Sequence, residues 1–283
     1  MIISIASGKG GTGKTTVAVN LALSLDNAQL LDCDVEEPNA HIFLNPIISD
    51  KIPAYVPVPE IDKDKCTYCG KCAEVCAYHA IAVIPANNGK KGNVLVFPHL
   101  CHGCGACSLL CPADAIKEVK KEIGVVEVGD SGDIQFVHGI LNVGEIMSPP
   151  LIRQVKQYIN PTRTAIIDAP PGTTCPVIEA VKGSDFCILV TEPTPFGLYD
   201  LKLAVEVLNK LTIPFGVVIN RSDIGDDKTE IYCREHNIPD LMRIPFDREI
   251  AELYSKGIPL VKEKKEYKTG FNNLYKTILK SIK

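Results

Sequence analysis

Two groups of residues in this chain have the types and spacing to do chemistry. The first is cysteine. Twelve are present among 283 residues, and eight fall into two matched Cys-x2-Cys-x2-Cys-x3-Cys runs: Cys66, Cys69, Cys72 and Cys76, then Cys101, Cys104, Cys107 and Cys111, with Pro112 after the last. Clustered thiols in a reducing compartment bind metal or do redox chemistry more often than they form disulfides. A structural zinc takes four ligands, whereas two such runs supply the thiolates for a pair of iron–sulfur cubanes. The second group is the loop Gly8, Lys9, Gly10, Gly11, Thr12, Gly13, Lys14, Thr15 and Thr16. Its glycines let backbone N–H groups converge on phosphate oxygens without interference from Cβ atoms. Lys14 is placed to pair with β- and γ-phosphates, and the Thr15 hydroxyl to ligate Mg2+.

Both groups need elements to hold them. Residues 2–6 have the composition of a short buried strand, and residues 14–25 carry apolar positions at helical spacing. Residues 28–32 form a second strand ending at Asp32. A β-loop-α-β start predicts a parallel sheet with helices on both faces. The alternation then stops at a proline-rich bridge, Pro53, Pro57 and Pro59, followed by the cysteine block. A hairpin is expected around residues 129–132, and from Pro149 the helix–strand rhythm resumes to a final helix near residues 268–281. The cysteine block is therefore an insertion in one α/β domain.

Other residues at strand ends suit the same chemistry. Asp32 and Asp34 follow the second strand, and Asp168 closes the hydrophobic strand 164–168 just before Ala169-Pro170-Pro171-Gly172. A carboxylate there belongs beside a Mg2+ shell, and a second can orient an attacking water. Asn220, Arg221 and Asp223 end a later strand, and Pro245 follows another.

The loop Lys9-Gly10-Gly11-Thr12-Gly13-Lys14-Thr15-Thr16 resembles the deviant Walker A motif of the MinD/ParA/nitrogenase-iron-protein family of ATPases. The segments around Asp34 and Asp168 resemble that family's switch regions. The resemblance implies ATP with Mg2+ as ligands and an ATP-dependent homodimer. It implies that Lys9 reaches the partner's phosphates, Asp34 positions the water, Asp32 supports its loop, and the Gly172 N–H senses the γ-phosphate. It further implies Asn220 on adenine, with Arg221 and Pro245 alongside. Asn220-Arg221-Ser222-Asp223 also resembles the guanine reader of GTPases, which leaves base identity open. The cysteine runs resemble the two-cluster bacterial ferredoxin pattern, in which the fourth cysteine of each run serves the other cluster. That gives Cys66, Cys69, Cys72 and Cys111 to one [4Fe-4S] cluster and Cys101, Cys104, Cys107 and Cys76 to the second. Ala77 after Cys76 departs from the pattern's proline, so a different local turn is expected there. The expected fold class is α/β, a P-loop NTPase parallel sheet interrupted by a small α+β ferredoxin-like insert. Boundaries are expected at 1–59, 60–120 and 121–283.

The net charge of −4 gives no reason to expect nucleic acid as the partner. The absence of an export signal and of long apolar runs makes a cytoplasmic protein the expectation. Of the cysteines outside the runs, Cys187 and Cys233 suit core packing, as does Cys33. Cys175, seven residues after Asp168, is expected to be a structural or labile thiol near the switch. The lysine-rich tail from Lys262 to Lys283 carries Tyr267, Phe271, Leu274, Tyr275, Ile278 and Ile282 on one helical face. A helix packed on the sheet explains that face better than peripheral membrane contact. Three functions fit the residues: an ATP-coupled electron carrier acting on an unidentified redox protein, an iron–sulfur carrier or assembly ATPase, and a positioning switch with a redox-sensing insert.

Overall fold

The computed structural model describes residues 1–87 and 91–282. Residues 88–90 of the expected insert and Lys283 of the tail lie outside the described residues. The chain divides into two compact units, one of residues 1–52, 126–140 and 152 onward, the other of residues 53–125 and 141–151.

The first unit begins with β1 (Ile2–Ala6), whose last four residues are buried, as a central strand requires. The glycine-rich loop leads into α1 (Lys14–Ser24), with Gly13 at the N-cap and φ of 97°. α1 buries Val17, Ala18, Val19, Leu21 and Ala22. A helix apolar nearly all round must be covered on more than one side. Accordingly it shares a core with the sheet and with Val261, Phe271, Leu274 and Ile278. β2 (Ala28–Asp32) is wholly buried, and a short α2 (Ala40–Leu44), not foreseen from sequence, follows. β3 (Ile47–Ile61) then leaves this unit and continues into the second.

β3 corrects the expected irregular bridge. Pro53, Pro57 and Pro59 lie within a 15-residue strand. Proline is tolerated there because β3 stands at the end of the sheet order, where one row of N–H groups has no strand to serve. Ala54, Val56 and Val58 alternate inward between exposed Pro53, Tyr55 and Pro57, the period of a half-buried strand.

The second unit holds the outer part of β3, α3 (Lys71–Glu74), β4 (Ile81–Ile84), β5 (Asn93–Val96), α4 (Ala106–Leu109) and the start of β6 (Ile116–Ser131). β4 and β5 pair antiparallel, with Ile81 opposite Val96. The expected hairpin is present but longer, as β6 and β7 (Ile134–Leu141) run on beyond the few residues anticipated.

The first unit resumes within α5 (Pro149–Lys156), followed by β8 (Thr164–Asp168), α6 (Cys175–Val181), β9 (Phe186–Thr191) and α7 (Pro195–Leu211). Then come β10 (Phe215–Asn220), α8 (Lys228–Glu235), β11 (Asp240–Ile244), α9 (Arg248–Ser255), α10 (Leu260–Glu263) and α11 (Lys265–Ser281). The strand order is β11-β10-β9-β1-β8-β2-β7-β6-β3. β1 pairs in parallel with β8 and β9, and β2 in parallel with β8 and β7. This is an α/β fold with a mainly parallel sheet, and the reversal of strand order beside β1 marks where ligands bind such sheets. Glu127 on β6 ties three strands together, 2.9 Å from His138 Nε2 on β7 and 2.7 Å from Lys51 Nζ on β3.

α11 buries Phe271, Leu274 and Ile278 in the core, with Tyr267 and Tyr275 packed against it, while Ile282 at its end stays exposed. Its apolar face is thus covered by this chain's own sheet and α1. Among the described residues no helix is long and apolar enough to cross a membrane.

One cation fastens two helices of the first unit. Lys156 Nζ on α5 donates to the carbonyls of Glu179 (2.7 Å), Ala180 (2.8 Å) and Lys182 (2.7 Å), the unsatisfied acceptors at the end of α6. Lys156→Met keeps the stem and removes the donor. It is expected to destabilise the protein by on the order of 2 kcal/mol in urea unfolding, and a loss below a few tenths would mean that water replaces the ammonium.

Candidate functional site

Three strands of the first unit end in acids. Asp32 on β2 stands beside Asp168 on β8 in the parallel ladder, and Glu192 follows β9. The glycine-rich loop, together with loops that follow β2, β8, β10 and β11, borders a cavity of about 450 Å3. Gly10, Gly11, Gly13, Lys14, Thr15 and Thr16 form one wall, Asp34, Glu37 and Asn39 another. Asn220, Arg221, Pro245, Phe246 and Tyr254 border the far side.

The loop's shape requires its glycines at particular places. Gly13 has φ of 97°, and a Cβ built on it would lie 2.5 Å from Asn220 Nδ2. Gly8 has no such torsion, yet a Cβ there would collide with the Asp200 backbone on α7. Lys14 is 7% exposed and borders the cavity.

Asp168 is fully buried, and neither carboxylate oxygen has a hydrogen-bond partner of regular geometry among the described residues. Burial holds its pKa well above the ordinary 3.8, with Asp32 adding repulsion; the Thr15 hydroxyl and Lys14 pull the other way. An orphaned buried carboxylate beside a threonine hydroxyl fits a divalent cation. Asp32 is arranged differently. Its oxygens accept from the backbone N–H groups of Asp34 (3.1 Å), Asn39 (3.0 Å) and Ala40 (3.0 Å), so it shapes the loop that carries Asp34. Burial nonetheless raises Asp32 to about 7. Asp34 borders the cavity and is raised by burial to about 6, with Lys14 opposing.

Raised acids lose folding stability as they ionise. The contribution of the Asp32–Asp168 pair is complete below about pH 4 and is lost as pH climbs through about 7. Without divalent cations, the stability advantage of Asp168→Asn over the original chain is expected to grow by more than about 1 kcal/mol between pH 4 and 7. Urea unfolding at stepped pH measures it; an unchanging difference would show that the pair is not strained.

Several sequence expectations meet a different arrangement. The Gly172 N–H donates to the Ser7 carbonyl at 3.0 Å, so contact with a phosphate requires that bond to open. Asn220 Nδ2 donates to the Thr12 carbonyl at 2.9 Å and its Oδ1 accepts from the Arg221 N–H, making Asn220 a brace for the phosphate loop as well as a cavity wall. Asp223 accepts from the Phe246 N–H and so holds the loop at residues 245–247. Sequence reasoning missed Glu192. It is 5% exposed, with Lys9 Nζ at 3.3 Å from one oxygen and Arg221 Nη1 at 2.8 Å from the other. Its position at the end of an apolar strand, like Asp32 and Asp168, was the available signal. Lys9 is thus held by its own chain's carboxylate.

In the second unit the two cysteine runs line two cavities. Cys66, Cys69, Cys72 and Cys111 surround one; Cys76, Cys101, Cys104 and Cys107 surround the other. Each cavity takes its fourth thiol from the opposite run. Among the described residues no three His, Cys, Asp or Glu side chains converge as a single metal ion requires. Backbone amides aim at sulfur: Ala80 N–H to Cys76 Sγ (3.3 Å), Gly103 to Cys101 (3.4 Å) and Ala115 to Cys111 (3.3 Å). The expected difference after Cys76 is not found. His79 and Asp114, each three residues past the fourth cysteine, take the same left-handed turn (φ 51° and 46°) whether alanine or proline precedes. Burial raises the Cys101 thiol and pushes Cys107 up to about 11. Four thiols spread around each cavity wall, with amides directed at sulfur, fit a cubane.

The remaining cysteines separate by exposure. Cys33, Cys187 and Cys233 are buried; Cys175 is exposed at the start of α6.

The chain is 34% identical over 271 residues to an uncharacterized protein of Methanocaldococcus jannaschii, covering 93% of this chain and 92% of that one. It is 25% identical to the iron-sulfur cluster carrier protein of Pyrococcus horikoshii, over 92% of this chain and 78% of the relative. Among solved structures, the septum site-determining protein MinD of Pyrococcus horikoshii, complexed with Mg-ADP, shares the fold with a TM-score of 0.60 at 22% identity, covering 98% of this chain and 95% of that one. The family model for the CobQ/CobB/MinD/ParA nucleotide binding domain matches residues 3–260, and this chain belongs to that family.

Proposed function

We propose that the chain is a Mg2+-dependent ATPase that works as an ATP-dependent homodimer and couples its nucleotide state to two resident [4Fe-4S] clusters. The observation that carries this reading is the pair of four-thiol cavities, each completed by the other run, in the same chain as a phosphate loop. Lys14 would hold the β- and γ-phosphates, and Thr15 with Asp168 would hold Mg2+, which would supply charge neutralisation there. Asp34 orients the attacking water. Asn220 braces the loop while the walls at Arg221 and Pro245 enclose the base. With Asp223 held on the Phe246 N–H, adenine is favoured over guanine. Lys9 reaches the partner copy after leaving Glu192. Bound clusters supply one-electron chemistry, directed at a redox protein.

A second reading has its own support. Relatives named iron-sulfur cluster carrier protein align with about nine-tenths of the chain, which favours an ATPase that hands clusters to acceptors. One experiment tests the main reading: ATP hydrolysis by anaerobically purified protein, with its clusters oxidised and then reduced. A rate that changes with redox state supports coupling. An unchanged rate, joined to cluster loss to an apo-acceptor, moves the conclusion to the carrier.

A further inference from the structure

The two thiol cavities are related by an approximate repeat, which makes any difference between them informative. Gly70 and Gly105 occupy the same place in their runs, between the second and third cysteines. Both cap a short helix in the left-handed region, with φ of 81° and 74° and ψ of −6°. A Cβ built on Gly70 meets nothing within 4 Å. One built on Gly105 comes within 3.2 Å of Glu118 Oε1.

The same asymmetry appears two residues past the isoleucine that follows each run. After Ile81 that residue is Val83, which lines the cavity of Cys66, Cys69, Cys72 and Cys111. After Ile116 it is Glu118, which lines the cavity of Cys76, Cys101, Cys104 and Cys107. A carboxylate therefore stands where the repeat places an aliphatic side chain. On the other side, the Lys71 backbone N–H favours the Cys69 thiolate, while the Lys71 ammonium is shared with Glu74 at 3.1 Å.

Reduction adds an electron to a cubane already carrying four thiolates. A nearby negative charge disfavours that electron, and amide donors or a positive charge favour it. We propose that Glu118 sets the two clusters apart in reduction potential, making the one held by Cys76, Cys101, Cys104 and Cys107 the weaker electron acceptor. The inference rests on the cluster reading above. An electron shared within the unit then resides on the Cys66, Cys69, Cys72 and Cys111 side, and the Glu118 side is the stronger donor.

The test is an anaerobic redox titration followed by electron paramagnetic resonance. The original chain is compared with Glu118→Gln and with Val83→Glu, each checked for full iron loading. Two resolved reduction steps are expected. Glu118→Gln is expected to raise the lower step and narrow the gap, and Val83→Glu to lower the upper step. Coincident steps in the original chain, or a Glu118→Gln variant with both steps in place, overturn the proposal. Protein that binds no iron–sulfur cluster after anaerobic reconstitution overturns the cluster reading itself, and this inference with it.

Discussion

Lys14→Ala is expected to reduce Mg2+-dependent ATP hydrolysis by at least about 100-fold, the loss seen when one preorganised charge-stabilising donor is removed from an active site. Lys14 is buried in the wall of the site. Its charge also offsets the burial of Asp34 and Asp168. Removing it leaves buried Asp168 and half-buried Asp34 with less reason to ionise, which weakens Mg2+ retention together with phosphate binding. The loss should therefore fall on kcat and on nucleotide affinity together, and excess ATP should not restore the rate. Lys14→Arg keeps the charge but displaces it, and is expected to regain affinity without regaining kcat. Steady-state kinetics over a range of Mg-ATP, with thermal unfolding as a folding control, measures both. A folded Lys14→Ala protein with more than a tenth of the original kcat would falsify the phosphate-loop reading.

The second large effect concerns iron content. If each cavity holds one cubane, a fully loaded chain carries about eight irons, and deleting one thiol should leave about four. The crossed arrangement makes a sharper statement possible. Cys111 belongs to the later run but faces Cys66, Cys69 and Cys72. Cys69→Ala combined with Cys111→Ala should therefore lose no more iron than either change alone, because both act on one cavity. Cys104→Ala combined with Cys111→Ala should empty both. Non-additivity within a cavity and additivity between cavities is the pattern of two independent sites. Iron and sulfide analysis of anaerobically reconstituted protein decides it, with ATP binding retained in every variant as a check on the first unit. If the Cys104, Cys111 pair behaves as a single site, the two runs hold their metals separately.

How much of this was legible in the sequence depends on which physical signal each element left. β8 and β10 are mainly apolar runs closed by a polar residue, and β1 is a mainly apolar run that stops just before Ser7, so their limits follow from that pattern. The phosphate loop is equally clear, since few other needs place four glycines beside a Lys-Thr pair. β3 was hidden because proline signals a break unless the strand lies at an edge, and edge position is a property of the whole sheet. α2 is only five residues long, too short to show a helical period. In the site, residue types at strand ends pointed to Asp32, Asp34 and Asp168. Their separate tasks did not show, since Asp32 is occupied by three backbone N–H groups while Asp168 has no regular partner among the described residues. Glu192 went unnoticed because an acid before a proline looks like an ordinary loop. Only folding brings Lys9 and Arg221 to its two oxygens.

The prolines of β3 have one more effect. Pro53, Pro57 and Pro59 occupy positions of one parity, so their missing donors fall along the same side of the strand. The last strand of a sheet is ordinarily a template on which a neighbouring molecule can add its own strand and begin a fibre. Here that rim offers carbonyls but lacks N–H groups at three places, and an incoming strand could not complete its ladder. The long edge is thereby protected against runaway polymerisation.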